Sequence, residues 1–286
     1  MNDLYTRVSS TTKQALYQFM KDQDISLLNY HFDYYFRFCI QENNIQVLPH
    51  HFSNHKIEGL TVVDELGTSF SYERDNTKAK QNFTLCHELG HFILKHKGDY
   101  FAELIDNQEN LLEREANIFS AVVLMPDIVL LSKIYYSCET FPQVQNSLEV
   151  SKQALFFRLL DFLREYYPDK DSEIKQVVET YIEGKNASIF RLFHDIREQI
   201  IKEFHQFQPS LINQVKQRIS EVGFATSLEY PDLLNQANWK AIKVSSINIK
   251  TWLIYNKGKS IAYVWDKEKF SDEEARKKAE IQLLLM

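Results

Sequence analysis

Thr84-Leu85-Cys86-His87-Glu88-Leu89-Gly90-His91-Phe92-Ile93-Leu94 is the stretch whose reading decides the rest. It holds the pattern H-E-x-x-H, with His87 and His91 four residues apart. On a helix, positions i and i+4 share one face, one turn above the other. Two imidazoles so placed can grip one tetrahedral ion, and Glu88 beside them is positioned to take a proton from water. Phe83, Leu85, Leu89, Phe92 and Ile93 give the helix an apolar frame that predicts burial. Burying two imidazoles and a carboxylate costs free energy unless they are bound to something, so the stretch reads as a metal site.

A catalytic site of this kind needs a third protein ligand and keeps its fourth position open. The next strong helical pattern, from Asn110 to Met125-Pro126, supplies one. On it Glu113, Asn117, Ser120 and Leu124 share a face. Glu115 points about 200° away on a helix wheel, and Glu109 is a weaker choice. Glu113 is therefore the expected third ligand. Asn117, one turn on, is expected to accept a hydrogen bond from a ligand-histidine ring N–H. Tyr72, Arg74, His96 and Tyr100 lie nearby in sequence and read as structural or solvated. Cys86 reads as a small core residue, and His50, His51 and His55 as loop histidines with no acidic or cysteine partner spaced to them.

Around this centre the spacing predicts two amphipathic helices over residues 11–41, broken near Asp22-Gln23-Asp24. Ile45–Leu48, Leu60–Val63 and Ser69–Tyr72 read as strands of a small antiparallel sheet, the last two joined by a loop containing Gly67. Asp75 or Asn76 is expected to cap the motif helix, from about Lys78 to Lys95, with Gly98 ending that region. After Pro126 come a helix over Asp127–Ser137, another over Phe141–Glu149, and a longer one capped by Ser151. The last pair resembles a helix-turn-helix. Pro168-Asp169-Lys170-Asp171-Ser172 reads as a linker. Helices at about 172–184, 188–207 and 209–222 follow, then strands at Ala241–Val244, Trp252–Tyr255 and Ile261–Trp265. An Asn-Lys-Gly-Lys turn joins the last two strands, and a final helix follows Ser271.

His87-Glu88-Leu89-Gly90-His91, then Glu113-Arg114-Glu115-Ala116-Asn117-Ile118-Phe119-Ser120-Ala121 and Leu124-Met125-Pro126, resemble the ImmA/IrrE family of metallopeptidases. Val150-Ser151-x-x-Ala154-x-x-x-Arg158-Leu159 is similar to a stretch often found after that family's peptidase core. The resemblance covers about residues 30–165; Cys86 and Ser120 depart from small residues common there. It implies a cytosolic zinc-type protease, often carried by prophages and conjugative elements, that cleaves helix-turn-helix repressors.

Composition bounds the alternatives. Net charge is -6, which gives no bulk attraction to nucleic acid or anionic membrane. The three cysteines, Cys39, Cys86 and Cys138, form no C-x-x-C pair and read as reduced thiols. No signal core is evident and no apolar run approaches membrane-spanning length, so the expected location is cytoplasmic. The expected fold class is α+β. Residues 1–167 would form a mostly helical zincin-like peptidase domain with a small antiparallel sheet and a helix-turn-helix-like segment at 140–165. Residues 168–286 would form an α/β region of sensor or regulatory kind. The expected activity is that of a metal-dependent endopeptidase: His87, His91 and Glu113 hold Zn²⁺, with Mn²⁺ or Co²⁺ as alternatives, and Glu88 acts as general base. The expected partner is a protein substrate, a helix-turn-helix repressor of a mobile element or stress regulon, with no direct nucleic-acid or membrane binding. The alternatives are a non-catalytic regulator that binds a repressor or toxin, and a DNA-binding regulator using residues 140–165. Few exposed bases on the second helix of that segment, Lys152 and Arg158, argue against the latter.

Overall fold

The computed structural model describes residues 3–51, 57–65, 67–96, 100–104 and 111–285. His55, Gly98 and Glu109 lie outside the described residues. The chain divides into two compact units, Met1–Phe207 and Gln208–Met286.

In the first unit α1 (Asp3–Asp22) and α2 (Phe32–Glu42) lead into β1 (Gln46–His50), β2 (Ile57–Asp64) and β3 (Gly67–Glu73). Then come α3 (Lys78–Ile93), β4 (Tyr100–Leu104), α4 (Leu111–Leu124) and α5 (Asp127–Leu130), which runs on as a π-helical turn over Leu131–Tyr136. The unit is completed by α6 (Phe141–Ser147), α7 (Lys152–Tyr166), α8 (Asp171–Ile182) and α9 (Ala187–Gln206). The expected two helices, the β2–β3 hairpin, the motif helix and the capped α7 are all present. The sheet has the order β1-β3-β2-β4 and is mixed, not antiparallel: Gln46–His50 runs parallel to Gly67–Glu73. The hairpin partner β2 takes one edge of β3, and β1 pairs with the other.

The boundary expected at 167/168 falls at 207/208, and the reason is hydrophobic. Ile174, Val178 and Tyr181 of α8 and Ile189, Phe193 and Ile200 of α9 are buried in the same core as Leu85, Leu89, Phe119 and Val123. Pro168 marks a turn between packed helices rather than a linker. The helical stretch Leu111–Tyr136 has the length and apolar composition to cross a membrane, contrary to the sequence expectation. It is nonetheless packed as a core element, with 78% of its most apolar window buried.

Arg158 is also placed differently from expectation. It is 1% exposed, donating through Nε to the Met125 carbonyl at 3.1 Å and pairing with Asp127. Asp127 in turn meets Lys13 at 2.8 Å, and Lys13 meets Glu203 at 3.0 Å, so one buried ionic network joins α1, α5, α7 and α9. The turn between α6 and α7 is tied to the motif helix as well: Asn82 Nδ2 donates to the Glu149 carbonyl and carboxylate, both at 3.2 Å.

The second unit holds α10 (Leu211–Val222), β5 (Phe224–Thr226), α11 (Gln236–Val244), β6 (Ile249–Asn256), β7 (Lys259–Asp266) and α12 (Asp272–Leu285), with a 3₁₀ turn at Pro231–Leu234. Its sheet has the order β5-β7-β6. Side chains alternate faces along a strand. Ala262 and Val264 accordingly join Val215, Ile219 and Ile242, while Ile261, Tyr263 and Trp265 join Ala275, Ala279 and Leu283. Ala241–Val244, expected as a strand, is the end of α11; Asn235 caps that helix by accepting from the Ala237 N–H at 3.0 Å. The Asn256–Lys259 turn is as expected, with Lys257 and Gly258 at φ 48° and 84°, both central residues of a hairpin turn matching the strand twist.

Candidate metal centre

Helix α3 starts at Thr77, not at Asp75 or Asn76: the Thr77 hydroxyl accepts from the Lys80 N–H. Its sixteen residues carry His87 and His91 on one face, as the i, i+4 spacing requires. Gly90, on the face turned to α4, allows the two helices to approach closely. A Cβ there would stand 3.1 Å from the Phe119 ring, 3.2 Å from Ala116 Cα and 3.3 Å from its carbonyl oxygen. That approach brings Glu113, in the first turn of α4, onto the histidines.

The three side chains converge in the core. His87 Nε2 lies 3.0 Å from His91 Nε2 and 3.0 Å from Glu113 Oε2; His91 Nε2 lies 3.6 Å from Glu113 Oε1. Both histidines are 1% exposed and Glu113 is 8%. A tetrahedral ion with N and O bonds of about 2.0–2.1 Å holds its ligand atoms about 3.3–3.4 Å apart. The observed separations bracket that span, so the donor set fits a metal ion of this geometry. Burial opposes ionisation of Glu113, but its contacts with His87 and His91 outweigh it and bring the carboxyl down to about 2. Burial keeps His91 below the usual imidazole range, favouring the neutral ring that a metal requires.

Each histidine is held from behind. The Asn117 amide oxygen meets His87 Nδ1 at 3.0 Å, the place sequence reasoning gave Asn117. His91 Nδ1 lies 2.8 Å from His96 Nδ1, and His96 Nε2 lies 2.9 Å from Glu115 Oε2. Arg7 of α1 pairs with the other Glu115 oxygen. His96 reads from sequence as structural or solvated and Glu115 as pointing away from the ligand face; the structure packs both against the centre. The helix-wheel argument excluded Glu115 from the ligand face correctly, but said nothing of what its own face meets. The backbone explains His96. Helix α3 ends in a left-handed Lys95 (φ 56°), with the Lys95 N–H bonded to the Phe92 carbonyl and the His96 N–H to the His91 carbonyl. This paired closure folds the chain back over the last turn and lays His96 on His91. A lysine does not announce a left-handed position as glycine does, so no local signal marked it.

Glu88 faces the sheet. It is fully buried, and the Thr61 hydroxyl of β2 donates to its Oε2 at 2.5 Å. Gly59, on the same strand, lets that carboxylate in: a Cβ there would fall 2.5 Å from both Glu88 Oε1 and Thr84 Cγ2. Cys86 is wholly buried, as expected of a core residue. His51 does have acidic neighbours, contrary to the sequence reading: Asp75 Oδ2 at 3.0 Å and Glu73 Oε1 at 3.4 Å, brought to it by the parallel pairing of β1 with β3. Its side chain is about half-exposed and that of Asp75 more so.

No curated protein shows a significant match to the chain. Residues 40–160 match the family model described as the IrrE N-terminal-like domain, peptidase family M78. That span contains His87, Glu88, His91, Glu113 and Asn117 together with the strands and helices that bring them to one place. The segment that builds this centre is therefore similar to the IrrE N-terminal-like domain of peptidase family M78, the family its two sequence motifs resemble.

Proposed function

We propose that this protein is a metal-dependent endopeptidase whose substrate is a regulatory protein, a helix-turn-helix repressor of a mobile element or stress regulon. The observation that carries the peptidase reading is Glu88. A structural metal site needs only ligands, yet here a second, non-ligating carboxylate is buried on the ligand helix and held by the Thr61 hydroxyl. The family match supports the same reading, and the repressor rests on the sequence resemblance alone.

His87, His91 and Glu113 would hold the ion, Zn²⁺ by the chemistry of a His₂Glu set. When bound, it polarises a peptide carbonyl and lowers the pKa of water towards neutrality. Glu88 takes the proton of the attacking water and later delivers it to the leaving amine, so one carboxylate serves as base and then acid. Thr61 fixes one carboxylate oxygen of Glu88, orienting it for that transfer. Asn117 fixes the His87 ring.

The test is co-expression of the full chain, as wild type and as Glu88→Gln, with the helix-turn-helix regulator encoded beside it, read by intact-protein mass. A fragment formed only with wild type supports the proposal and gives the scissile bond. Cleavage that persists in Glu88→Gln overturns the role of Glu88. A regulator that stays whole while co-purifying with both forms overturns the peptidase in favour of a binding regulator.

A further inference from the structure

His91 is held by an arm that reaches out of the family domain, and the hydrogen-bond roles along it can be assigned from one end. A carboxylate only accepts. One oxygen of the Glu115 carboxylate pairs with the Arg7 guanidinium and the other faces His96. His96 Nε2 therefore carries the proton and donates to Glu115 Oε2. In the tautomer that this leaves with a bare Nδ1, His96 offers an acceptor to His91 Nδ1 across 2.8 Å. With its proton on Nδ1, His91 presents the Nε2 lone pair towards His87 and Glu113. On the other ligand the Asn117 amide oxygen does the same for His87 by a shorter route.

We infer that His96, Glu115 and Arg7 form a positioning relay that locks His91 in the metal-binding tautomer, and that α1, which lies outside residues 40–160, thereby takes part in metal binding. The inference rests on the metal-site reading above. None of the three touches the ligand atoms of the centre; they act through His91. His96 and Glu115 are nearly enclosed, with side chains 3% and 9% exposed, so little water competes for these bonds. Arg7 caps the outer end from its own helix, leaving neither Glu115 oxygen without a donor. Outer partners of ligand histidines typically govern metal affinity by 10- to 100-fold.

The relay and simple packing predict different results for two substitutions at one position. Asparagine places its amide oxygen where the His96 Nδ1 acceptor sits; leucine fills the space and accepts nothing. Zinc affinity of the full-length chain would be measured by competition with a chromophoric chelator, with thermal melts of the metal-free forms as the folding control. His96→Leu should bind zinc about 10- to 100-fold more weakly than wild type, and His96→Asn should recover most of the loss. Arg7→Met, far from the ion and on another element, should weaken zinc in the same direction by less. Glu115→Gln, which keeps an acceptor but loses the charge, should fall between wild type and His96→Leu.

Equal zinc affinity in His96→Leu and wild type overturns the relay. So does an equal loss in His96→Leu and His96→Asn when both metal-free forms melt like wild type. A wild type that takes up no zinc overturns this inference and the metal-site reading together. A wild type that binds zinc, with variants ordered as above, supports the relay even if no regulator is cleaved, so the two proposals fail separately.

Discussion

Gly90 and Gly59 lie on opposite sides of the motif helix, and their substitution by alanine separates metal binding from proton transfer. At Gly90 the obstructing atoms are the backbone of Ala116 and a buried ring, neither free to yield. Gly90→Ala should push α3 and α4 apart and cost about 1–3 kcal/mol by overpacking, offset by at most about 1 kcal/mol of helix propensity. Chelator competition should show weaker zinc binding, since the ligands sit on both helices. At Gly59 the obstructions are the Glu88 carboxylate and the Thr84 methyl. Gly59→Ala should keep zinc and lower the cleavage rate, a contrast that one metal titration and one cleavage assay reveal. Legibility at this scale followed chain distance. His87, Glu88 and His91 are readable because helical spacing alone brings them together, and Glu113 with Asn117 because a second helix wheel orders its own face. The partners of His96 and Glu115 were not readable because a left-handed lysine and a long-range contact place them, and neither leaves a periodic trace.

At the scale of elements, caps and buried charges matter more than propensity. Thr77→Ala removes the hydroxyl that accepts from the first turn of α3 and should lower unfolding free energy by about 1 kcal/mol in a denaturant melt. Asp127→Asn should cost more, about 3–5 kcal/mol, because it leaves Arg158 and Lys13 buried beside a neutral group. That network also explains why Arg158 was misread as an exposed base. Arg158 stands in sequence like any solvated base of a helix-turn-helix, and only the fold shows it enclosed between Asp127, Met125 and Tyr5. Ala241–Val244 failed for a simpler reason: a short apolar run has no length with which to choose between strand and helix. The same shortness did not harm β2 and β3, whose alternation continues through a hairpin turn. The parallel placement of β1 was beyond the sequence because register is set by the partner strand and not by β1 itself.

For the whole molecule, the division at Phe207/Gln208 predicts that residues 1–207 expressed alone will fold and bind zinc like the full chain, as seen by circular dichroism and chelator competition. Acid and base should both weaken this unit, through different groups. Burial raises the Asp127 pKa, but Lys13 and Arg158 outweigh it and hold it low. Its contribution is present above the unfolded value of about 3.9 and is lost as pH falls towards the folded one. Burial raises Glu165 and Glu203, so each favours the fold below about 4.3 and withdraws that favour as pH climbs through its raised value. Melting of the metal-free protein followed across pH should therefore peak on the mildly acidic side of neutrality. The two-helix origin of the ligands carries a further consequence. To the polymer, an ion shared by His91 and Glu113 is a cross-link that closes the intervening chain into a ring, as a disulfide would, but one whose closure is set by mass action. A ligand bound only by the folded form adds about 4 kcal/mol at a thousandfold excess over its dissociation constant. The midpoint of thermal unfolding should thus climb with the logarithm of free zinc in wild type and stay flat in Glu113→Ala. On the proposed reading, scarcity of the ion would remove the chemistry and slacken the scaffold together, making the protein's own persistence a gauge of metal supply.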